Sequence, residues 1–199
     1  MNKQIVVGRE TKRGFTLIEL LVVIAILAVL AVAVVLVLNP AELLKQGRDT
    51  TRISDLAAIN SAIALYVADV RTPVWTTVAT PRCTGATPFT GGGGSIACTV
   101  STSTTVDGNG WIPVNFQGIS SGAPLSRLPL DPTNTGVNEY LYAASSTTGY
   151  FELVAKMESS KYKTGGTADV ESNSKDGGTG TNSGNVYQVG SALDLISAF

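Results

Sequence analysis

Residues 15–38 are apolar except for Thr16 and Glu19, and the basic residues and glycine of Lys12-Arg13-Gly14 stand directly before them. As a helix with a rise of about 1.5 Å per residue, this run spans roughly 36 Å, enough to cross a hydrocarbon layer of about 30 Å. A carboxylate near the bilayer centre costs roughly 2.5 to 3.5 kcal/mol on insertion scales. The sequence therefore predicts a membrane-spanning helix in which Glu19 needs a partner.

Two simpler classes of N-terminal segment remain open at this point. A cleaved secretory signal is suggested by the basic start and by Ala31-Val32-Ala33, which imitates a small-residue cleavage site. Against this class, the apolar run is longer than a usual signal core, and apolar residues continue after the pattern. A plain single-span anchor is the other class, and it leaves both Glu19 and Gly14 unexplained.

The segment Lys12-Arg13-Gly14-Phe15-Thr16-Leu17-Ile18-Glu19, with the apolar residues that follow it to Ile26, resembles the start of type IV prepilins and type II secretion pseudopilins. The resemblance implies cleavage after Gly14 by a membrane-embedded prepilin peptidase and N-methylation of the new terminal Phe15. It also implies a salt bridge between Glu19 and the Phe15 amine of a neighbouring subunit. Glu19 would then have its partner only in the assembled filament.

The same resemblance implies a pilin-like α+β fold, in which a long N-terminal helix with a membrane-spanning first half packs against a small antiparallel sheet. The implied partners are further copies in a helical filament, the prepilin peptidase, an inner-membrane assembly platform and other minor pilins or pseudopilins. The precursor would span the inner membrane once, with a cytoplasmic N-terminus and an exported head. The mature form would lie in a periplasmic or cell-surface filament.

The chain has 199 residues, and removing a membrane helix leaves enough for one head domain. We divide it into a leader (1–14), a transmembrane and assembly helix (15–38), an amphipathic helix (39–71) and the head (72–199). Within the head we expect a Thr/Gly-rich loop with one or two short strands (72–110), an antiparallel sheet (111–163) and a flexible C-terminal loop (164–199).

Beyond Pro40 the apolar pattern changes to one stripe of a helix. Asn39 can act as a cap and Pro40 suits a first helical position, so a kink or a short break is expected there. The stripe consists of Ile53, Leu56, Ile59, Ile63, Tyr66, Val67 and Val70. Next to the stripe stand four charged residues, Arg48, Asp49, Arg52 and Asp55. We interpret them as solvated helix charges, and the alternative is a role at subunit contacts in a filament.

Alternating residues in the later head predict strands at 111–116, 139–144, 150–157 and 186–189, with a hairpin between the second and the third. Phe151, Leu153, Ala155 and Met157 fall on one side of their strand and are expected to pack on the helix stripe. The segment Arg127-Leu128-Pro129-Leu130-Asp131-Pro132, followed by Tyr140-Leu141-Tyr142, resembles the loop before the hairpin in the major pseudopilin of type II secretion.

Cys83 and Cys98 are the two cysteines of the chain. If the head is exported, as the resemblance implies, oxidation is permitted and a disulfide is the favoured interpretation. Closing a loop of about 15 residues contributes roughly 3 kcal/mol in the chain-entropy model, which suits a glycine-rich segment. Two free thiols remain the alternative.

Calcium binding is considered because some members of the resembled family bind this ion in a C-terminal loop. A calcium site needs six to eight oxygen ligands. The candidates are Asp107, Asn109, Asp131, Asn134, Asp169 and Asp176. None of them has the spacing of an EF-hand, so the favoured interpretation is that they form turns, and no cofactor is otherwise expected.

Composition argues against catalysis and against nucleic-acid binding. The chain has no histidine, which removes the commonest general base and the usual Ser-His triads. Its net charge is −1, so no basic surface indicates nucleic acid. Two functions remain: a repeating structural subunit of a filament, which the presence of Glu19 favours, and a minor tip-located subunit that binds DNA, a surface or secreted cargo.

Overall fold

The computed structural model describes residues 14–73, 80–85, 88–91, 94–135, 137–145, 148–172, 185–193 and 195. The leader residues 1–13 and the calcium candidate Asp176 lie outside the described residues. The chain separates after Pro40 into two compact units. Each unit is described by itself.

The first unit is dominated by helix α1 (Leu17–Leu38), whose described side chains are all exposed. Its stretch Leu17–Val35 has a mean hydropathy of 3.2 and is long and apolar enough to cross a membrane. The helix ends where Asn39 takes a left-handed conformation with φ of 41°, which asparagine tolerates better than most residues. The predicted break at Asn39-Pro40 is confirmed.

Helix α2 (Pro40–Asp69) buries one stripe of side chains. The stripe includes Leu56, Ile59, Ile63 and Tyr66, as predicted. The prediction for Val67 is wrong, since 43% of this residue is exposed. Adjacent helical residues point about 100° apart, so Tyr66 and Val67 do not both face the same sheet.

Seven short strands follow: β1 (Arg82–Cys83), β2 (Phe89–Gly91), β3 (Gly94–Ile96), β4 (Thr99–Val100), β5 (Tyr140–Ser145), β6 (Tyr150–Ala155) and β7 (Tyr187–Gly190). Five of them form one sheet in the order β4-β1-β5-β6-β7, and β2 with β3 forms a separate hairpin. Because β1 and β4 run parallel, the sheet is mixed, and the predicted antiparallel sheet is corrected at the β1-β4 pair. The β2-β3 segment supplies the crossover that a parallel pair requires.

The predicted central hairpin is confirmed. β5 pairs antiparallel with β6, with Tyr140 opposite Ala155 and Ser145 opposite Tyr150. β7 adds to the outer side of β6 with Val189 opposite Leu153, one residue later than the predicted terminal strand. Among the described residues of the segment 72–110 there are four short strands, where one or two were expected.

The strand predicted at 111–116 is absent from the described structure, where this segment is irregular and ends in a short 3₁₀ turn, Phe116–Gly118. Its backbone N–H groups bond to loop carbonyls, Trp111 to Ser103 and Phe116 to Val106. Pro113 has no N–H to donate to a ladder. The buried apolar side chains of this segment made it look like a strand, although they do not alternate between two faces.

Two apolar clusters cover the two faces of the sheet. On one face, Phe151, Leu153 and Ala155 share a cluster with the α2 stripe, as predicted. On the other face, Val154 and Leu141 pack with Phe89 of the β2-β3 hairpin. The predicted pilin-like α+β class, with an apolar N-terminal helix and a small sheet, is confirmed by this arrangement.

A disulfide joins Cys83 of β1 to Cys98, two residues whose sequence separation is 15. Both cysteines belong to the second cluster, which lies on the face of the sheet away from α2. Closing a loop of this size stabilises the fold by roughly 3 kcal/mol in the chain-entropy model. The bond therefore constrains the segment that places Phe89 and Ile96 in this cluster.

Candidate functional site

The start of α1 carries a capping box built by Thr16 and Glu19. The amide N and Oγ1 of Thr16 both donate to Glu19 Oε2, each at 2.8 Å, and the amide N of Glu19 donates to Thr16 Oγ1 at 3.3 Å. The sequence Thr16-Leu17-Ile18-Glu19 is the pattern that forms such a box, because the first residue and the fourth satisfy each other's backbone N–H. The carboxylate is therefore held at the first turn.

In the uncleaved chain Thr16 supplies two hydrogen-bond donors to Glu19, so the carboxylate has a local contact in addition to the ionic partner that the resemblance implies. Among the described residues, only Oε2 of the carboxylate accepts hydrogen bonds. The signal was available in the sequence as a Thr-x-x-Glu spacing. The ion pair with the Phe15 amine stays a prediction, because that amine does not exist before cleavage.

The two residues at the predicted cleavage point are accessible. Phe15 is 93% exposed, and both it and Gly14 precede the first helical residue. A Cβ placed on Gly14 meets nothing within 4 Å. Packing within the described chain therefore does not require glycine at this position.

The second notable arrangement is a buried ion cluster, the Arg52 cluster, made of Arg48, Asp49, Arg52, Asp131 and Glu158. Arg52 is 0% exposed and holds Asp131 with two hydrogen bonds, Nε to Oδ2 at 2.6 Å and Nη2 to Oδ1 at 2.9 Å. Its Nη1 donates to Asp49 at 2.8 Å, and its Nη2 donates to Glu158 at 2.6 Å. Arg48 completes the cluster through Nε to Glu158 at 2.9 Å.

Backbone donors satisfy the remaining capacity of the buried acids. Asp49 accepts from the N–H groups of Glu158 at 2.9 Å and of Ser159 at 2.8 Å. Asp131 accepts from the N–H groups of Thr133 at 2.9 Å and of Asn134 at 3.1 Å. Burial of charge is tolerated only where pairing and hydrogen bonding are this complete. The cluster therefore ties α2 to the segments around 131–134 and 158–159.

The contacts of the cluster favour the ionised forms of Arg52, Asp131 and Glu158. Burial by itself lowers the pKa of Arg52, but the hydrogen bonds and charge of Asp131 and Glu158 outweigh it and raise that pKa. Burial raises the pKa of Asp131, yet its contacts with Arg52 leave that pKa below the ordinary value. The hydrogen bond from Arg48 is the main cause that lowers the pKa of Glu158.

The interpretation of these residues as solvated helix charges is wrong for Asp49 and Arg52, both of which are 0% exposed. The sequence contained a signal, because positions 49 and 52 extend the spacing of Leu56, Ile59 and Ile63 toward the N-terminus. A guanidinium and a carboxylate at stripe positions indicate a buried pair that needs further acids from elsewhere in the chain.

The other charged residues of α2 are also turned toward the head, with Lys45 as the exception. Asp55 accepts from the Tyr140 hydroxyl at 2.7 Å, and Asp69 accepts from the Ser120 N–H at 2.6 Å. Between positions 50 and 68 the exposed residues are uncharged: Thr50, Thr51, Ser54, Ala57, Ala58, Ser61, Ala64, Leu65, Val67 and Ala68. We call these residues the neutral face of α2.

Glu139, Glu152 and Glu171 are carboxyls buried in the head outside the Arg52 cluster. Glu139 is 0% exposed, with Oε2 accepting from the Gly85 N–H at 2.6 Å. Burial raises the pKa of Glu139 to about 7, although the Gly85 N–H opposes the shift. Burial also raises the pKa of Glu171 to about 7, although the Met157 N–H, which donates to Glu171 at 2.7 Å, opposes the shift.

The aspartates among the described calcium candidates accept from donors of the protein itself, whereas the Oδ1 of Asn134 is buried without a hydrogen-bond partner in the described part of the chain. Asp107 accepts from the N–H and side-chain amide of Asn109 at 3.0 and 3.1 Å. Asp131 belongs to the Arg52 cluster, and the Nδ2 of Asn134 donates to the Thr84 carbonyl at 2.9 Å. Asp169 accepts from three backbone N–H groups. Among the described residues, no three acidic, cysteine or histidine side chains converge on a common metal position.

Residues 10–35 match the family model of the prokaryotic N-terminal methylation motif. The match supports the prepilin-type family, and it implies processing by prepilin peptidase and assembly into pilus-type filaments. That family is structural rather than enzymatic. No curated protein and no solved structure matches the chain. The motif together with the apolar α1 fits a membrane-anchored precursor.

Proposed function

We propose that this protein is a repeating structural subunit of a type IV pilus-like or type II secretion pseudopilus filament, and that it has no catalytic role. The observation that carries the proposal is the methylation motif at residues 10–35, with Glu19 held at the first turn of α1. Prepilin peptidase cuts between Gly14 and Phe15, and the new Phe15 amine is methylated. The precursor spans the inner membrane once, with its N-terminus in the cytoplasm and its head exported.

Assembly follows from the chemistry that cleavage creates. The Phe15 amine is cationic at neutral pH, and the Glu19 of a neighbouring subunit supplies the matching carboxylate. In the apolar surroundings of a helix bundle, an unpaired charge is strongly unfavourable, so each amine requires a carboxylate. The contact of Thr16 with Oε2 holds the acid in place while Oε1 faces no donor among the described residues.

The neutral face of α2 supports the same function. A solvent-facing helix ordinarily carries its charges outward and its apolar stripe inward. Here the charges bind the head, and small residues such as Ala57, Ala58 and Ser61 are outward. Small, uncharged residues let helices approach closely. We propose that this face packs against helices of neighbouring subunits.

The second candidate is a minor, tip-located subunit that binds DNA, a surface or secreted cargo. For both candidates we expect the same partners, which are other minor pilins or pseudopilins and an inner-membrane assembly platform. The presence of Glu19 favours the repeating subunit, because an acid paired to the next subunit is useful at every position below the tip. The net charge of −1 adds no basic surface for DNA.

The test uses two variants that separate processing from assembly. Glu19→Ala should leave membrane insertion and cleavage intact and strongly reduce filaments counted by electron microscopy. Gly14→Val should leave the head folded, since a Cβ there meets nothing within 4 Å, and should accumulate a heavier, membrane-bound precursor on gels.

Glu42→Ala is the matched control, because it removes an acid that lies just beyond α1 and bonds to Ser160. It should allow processing and assembly. If Glu19→Ala assembles as well as this control, the proposed ion pair is refuted. If Gly14→Val is processed normally, the cleavage position is refuted.

A further inference from the structure

The segment 159–163 is fixed against the first turns of α2. The amide N and Oγ of Ser160 donate to Glu42 Oε1 at 2.5 and 2.7 Å, and the Ser159 N–H donates to Asp49 at 2.8 Å. The segment also closes on itself, since the Lys163 N–H donates to the Ser159 carbonyl at 3.1 Å. Its side chains are therefore presented from an ordered turn.

Chain length places this segment near the membrane. Glu42 comes four residues after Leu38, the last residue of α1, and four extended residues reach at most about 14 Å. When α1 fills the hydrocarbon layer, the headgroup region begins at its end. A segment bonded to Glu42 is therefore held close to the headgroups, whichever direction the chain takes after Asn39.

Three lysines are exposed or half-buried at this end of the second unit, and the half-buried Asp169 of the same region accepts from three backbone N–H groups. The acids are used internally: Glu42 by Ser160, and Asp49 and Glu158 by the Arg52 cluster. Lys163 is exposed and makes no ion pair within the described residues. Lys161 lies over the Tyr162 ring at 5.0 Å. The side chain of Lys45 is 44% exposed, with its nearest carboxylate oxygen at 3.9 Å.

We propose that Lys45, Lys161 and Lys163 bind the phosphate headgroups of anionic phospholipids in the bilayer that holds the precursor. The inference rests on the proposed function, because it requires a chain anchored through α1. The attraction between the three ammonium groups and the headgroups is felt within a Debye length of about 8 Å at physiological salt. Each lysine near a charged surface strengthens association about fivefold.

This contact gives the precursor a second, reversible attachment besides α1. The head of an anchored subunit is held against the leaflet, and its lysines leave the headgroups when the subunit is drawn into a filament. The contact therefore depends on salt and on lipid charge, whereas anchoring by α1 depends on neither. That difference allows the two attachments to be measured separately.

The experiment measures hydrogen exchange of the backbone amides of residues 159–166 in the full-length protein, reconstituted in nanodiscs. One set of discs contains phosphatidylcholine alone, and the other contains phosphatidylcholine with phosphatidylglycerol. We expect slower exchange in the anionic discs at about 0.15 M salt, and loss of the difference at about 1 M, where the Debye length is about 3 Å.

The variant Lys161→Gln/Lys163→Gln should lower the association about 25-fold and abolish the protection. The matched control is Arg71→Gln/Arg127→Gln, which removes two exposed charges elsewhere. Arg71 lies past the far end of α2, roughly 40 Å along the helix from Glu42. The control should keep the protection seen with the natural chain.

Equal exchange in both kinds of disc overturns the proposal, as does protection that the lysine variant retains. If inorganic phosphate produces protection in neutral discs, the surface binds free phosphate, and the proposal is overturned. If protection grows with the number of protein copies per neutral disc, the surface binds another copy, and the proposal is overturned as well. A chain that elutes apart from the discs refutes the anchored precursor itself, and with it both proposals.

Discussion

Replacing Arg52 with methionine is the sharpest test of how the head is held together. The guanidinium makes hydrogen bonds to Asp131, Asp49 and Glu158 from a position with 0% exposure. Methionine keeps the helix propensity and most of the side-chain length but supplies no charge. Asp131 and Asp49 then remain buried without their cation.

The expected loss of stability follows from what stays behind. Removing one partner of a buried ion pair typically costs about 3 to 5 kcal/mol, because the remaining charge is uncompensated. Asp131 keeps the N–H groups of Thr133 and Asn134, and Asp49 keeps two backbone donors, so the lower end of that range applies. With a urea m-value of about 1 to 3 kcal/mol/M, a loss of about 3 kcal/mol lowers the midpoint by about 1 to 3 M.

The assay is urea unfolding of the full chain in detergent micelles, followed by tryptophan fluorescence. Trp111 is 0% exposed, and its Nε1 donates to the Pro129 carbonyl at 3.0 Å, so its emission reports on the core beside α2. Arg71→Met is the matched control, because it removes an exposed arginine past the end of α2. The control should change the free energy of unfolding by less than about 0.5 kcal/mol.

A double variant identifies the cause. Adding Asp131→Asn to Arg52→Met removes the stranded carboxylate and should recover about 1 to 2 kcal/mol of the loss. If Arg52→Met unfolds at the same urea concentration as the control, the cluster does not tie α2 to the head. If the double variant is no more stable than Arg52→Met, the loss does not come from the uncompensated charge.

Two other predictions concern pH and calcium. Burial raises the pKa of Glu139 and of Glu171 to about 7, whereas a glutamate in an unfolded chain has a pKa of about 4.3. Between these values the folded head binds more protons than the unfolded chain. Its free energy of unfolding therefore falls as pH rises from about 4.5 to 7. Below about pH 4, protonation of Asp131 removes stability in the other direction, so urea midpoints should peak at about pH 4.5, and Glu139→Gln should flatten the decline toward pH 7. Midpoints that rise steadily to pH 7 would contradict this. Millimolar calcium should leave the midpoint unchanged, since Asp107, Asp131 and Asp169 already accept the protein's own donors, and a clear increase would reveal a site.

Sequence patterns predicted the elements whose signal is local. The apolar run of α1, the break at Asn39, the α2 stripe and the hairpin each depend on periodicity or on one residue's conformational preference. The parallel pair β1-β4 could not be predicted in this way, because it depends on the position at which the chain re-enters the sheet after the connection between the two strands. The segment 111–116 was misassigned because buried apolar residues suit an irregular segment as well as a strand.

The Arg52 cluster was missed for a different reason. Its arginine and Asp49 are neighbours on α2, but Asp131 and Glu158 come from distant parts of the chain, and no local pattern joins them. The Thr-x-x-Glu spacing of Thr16 and Glu19 predicts a capping box, but the position of the acid in an apolar run indicated only a partner in another subunit. A local donor was the simpler solution.

The polarity of α2 connects the stability of the head with its assembly. A buried ion cluster stabilises a fold less than a well-packed apolar core of similar volume, so stability alone does not account for it. What the cluster achieves is to remove charge from the outside of the helix: Arg52 and Asp49 take stripe positions, Asp55 bonds to Tyr140, and the neutral face is left uncharged. Such a face lets another helix approach closely without burying an unpaired charge. The burial of Arg52 and the uncharged outer surface of α2 are therefore two consequences of the same distribution of charge, and the proposed packing against neighbouring subunits depends on that surface.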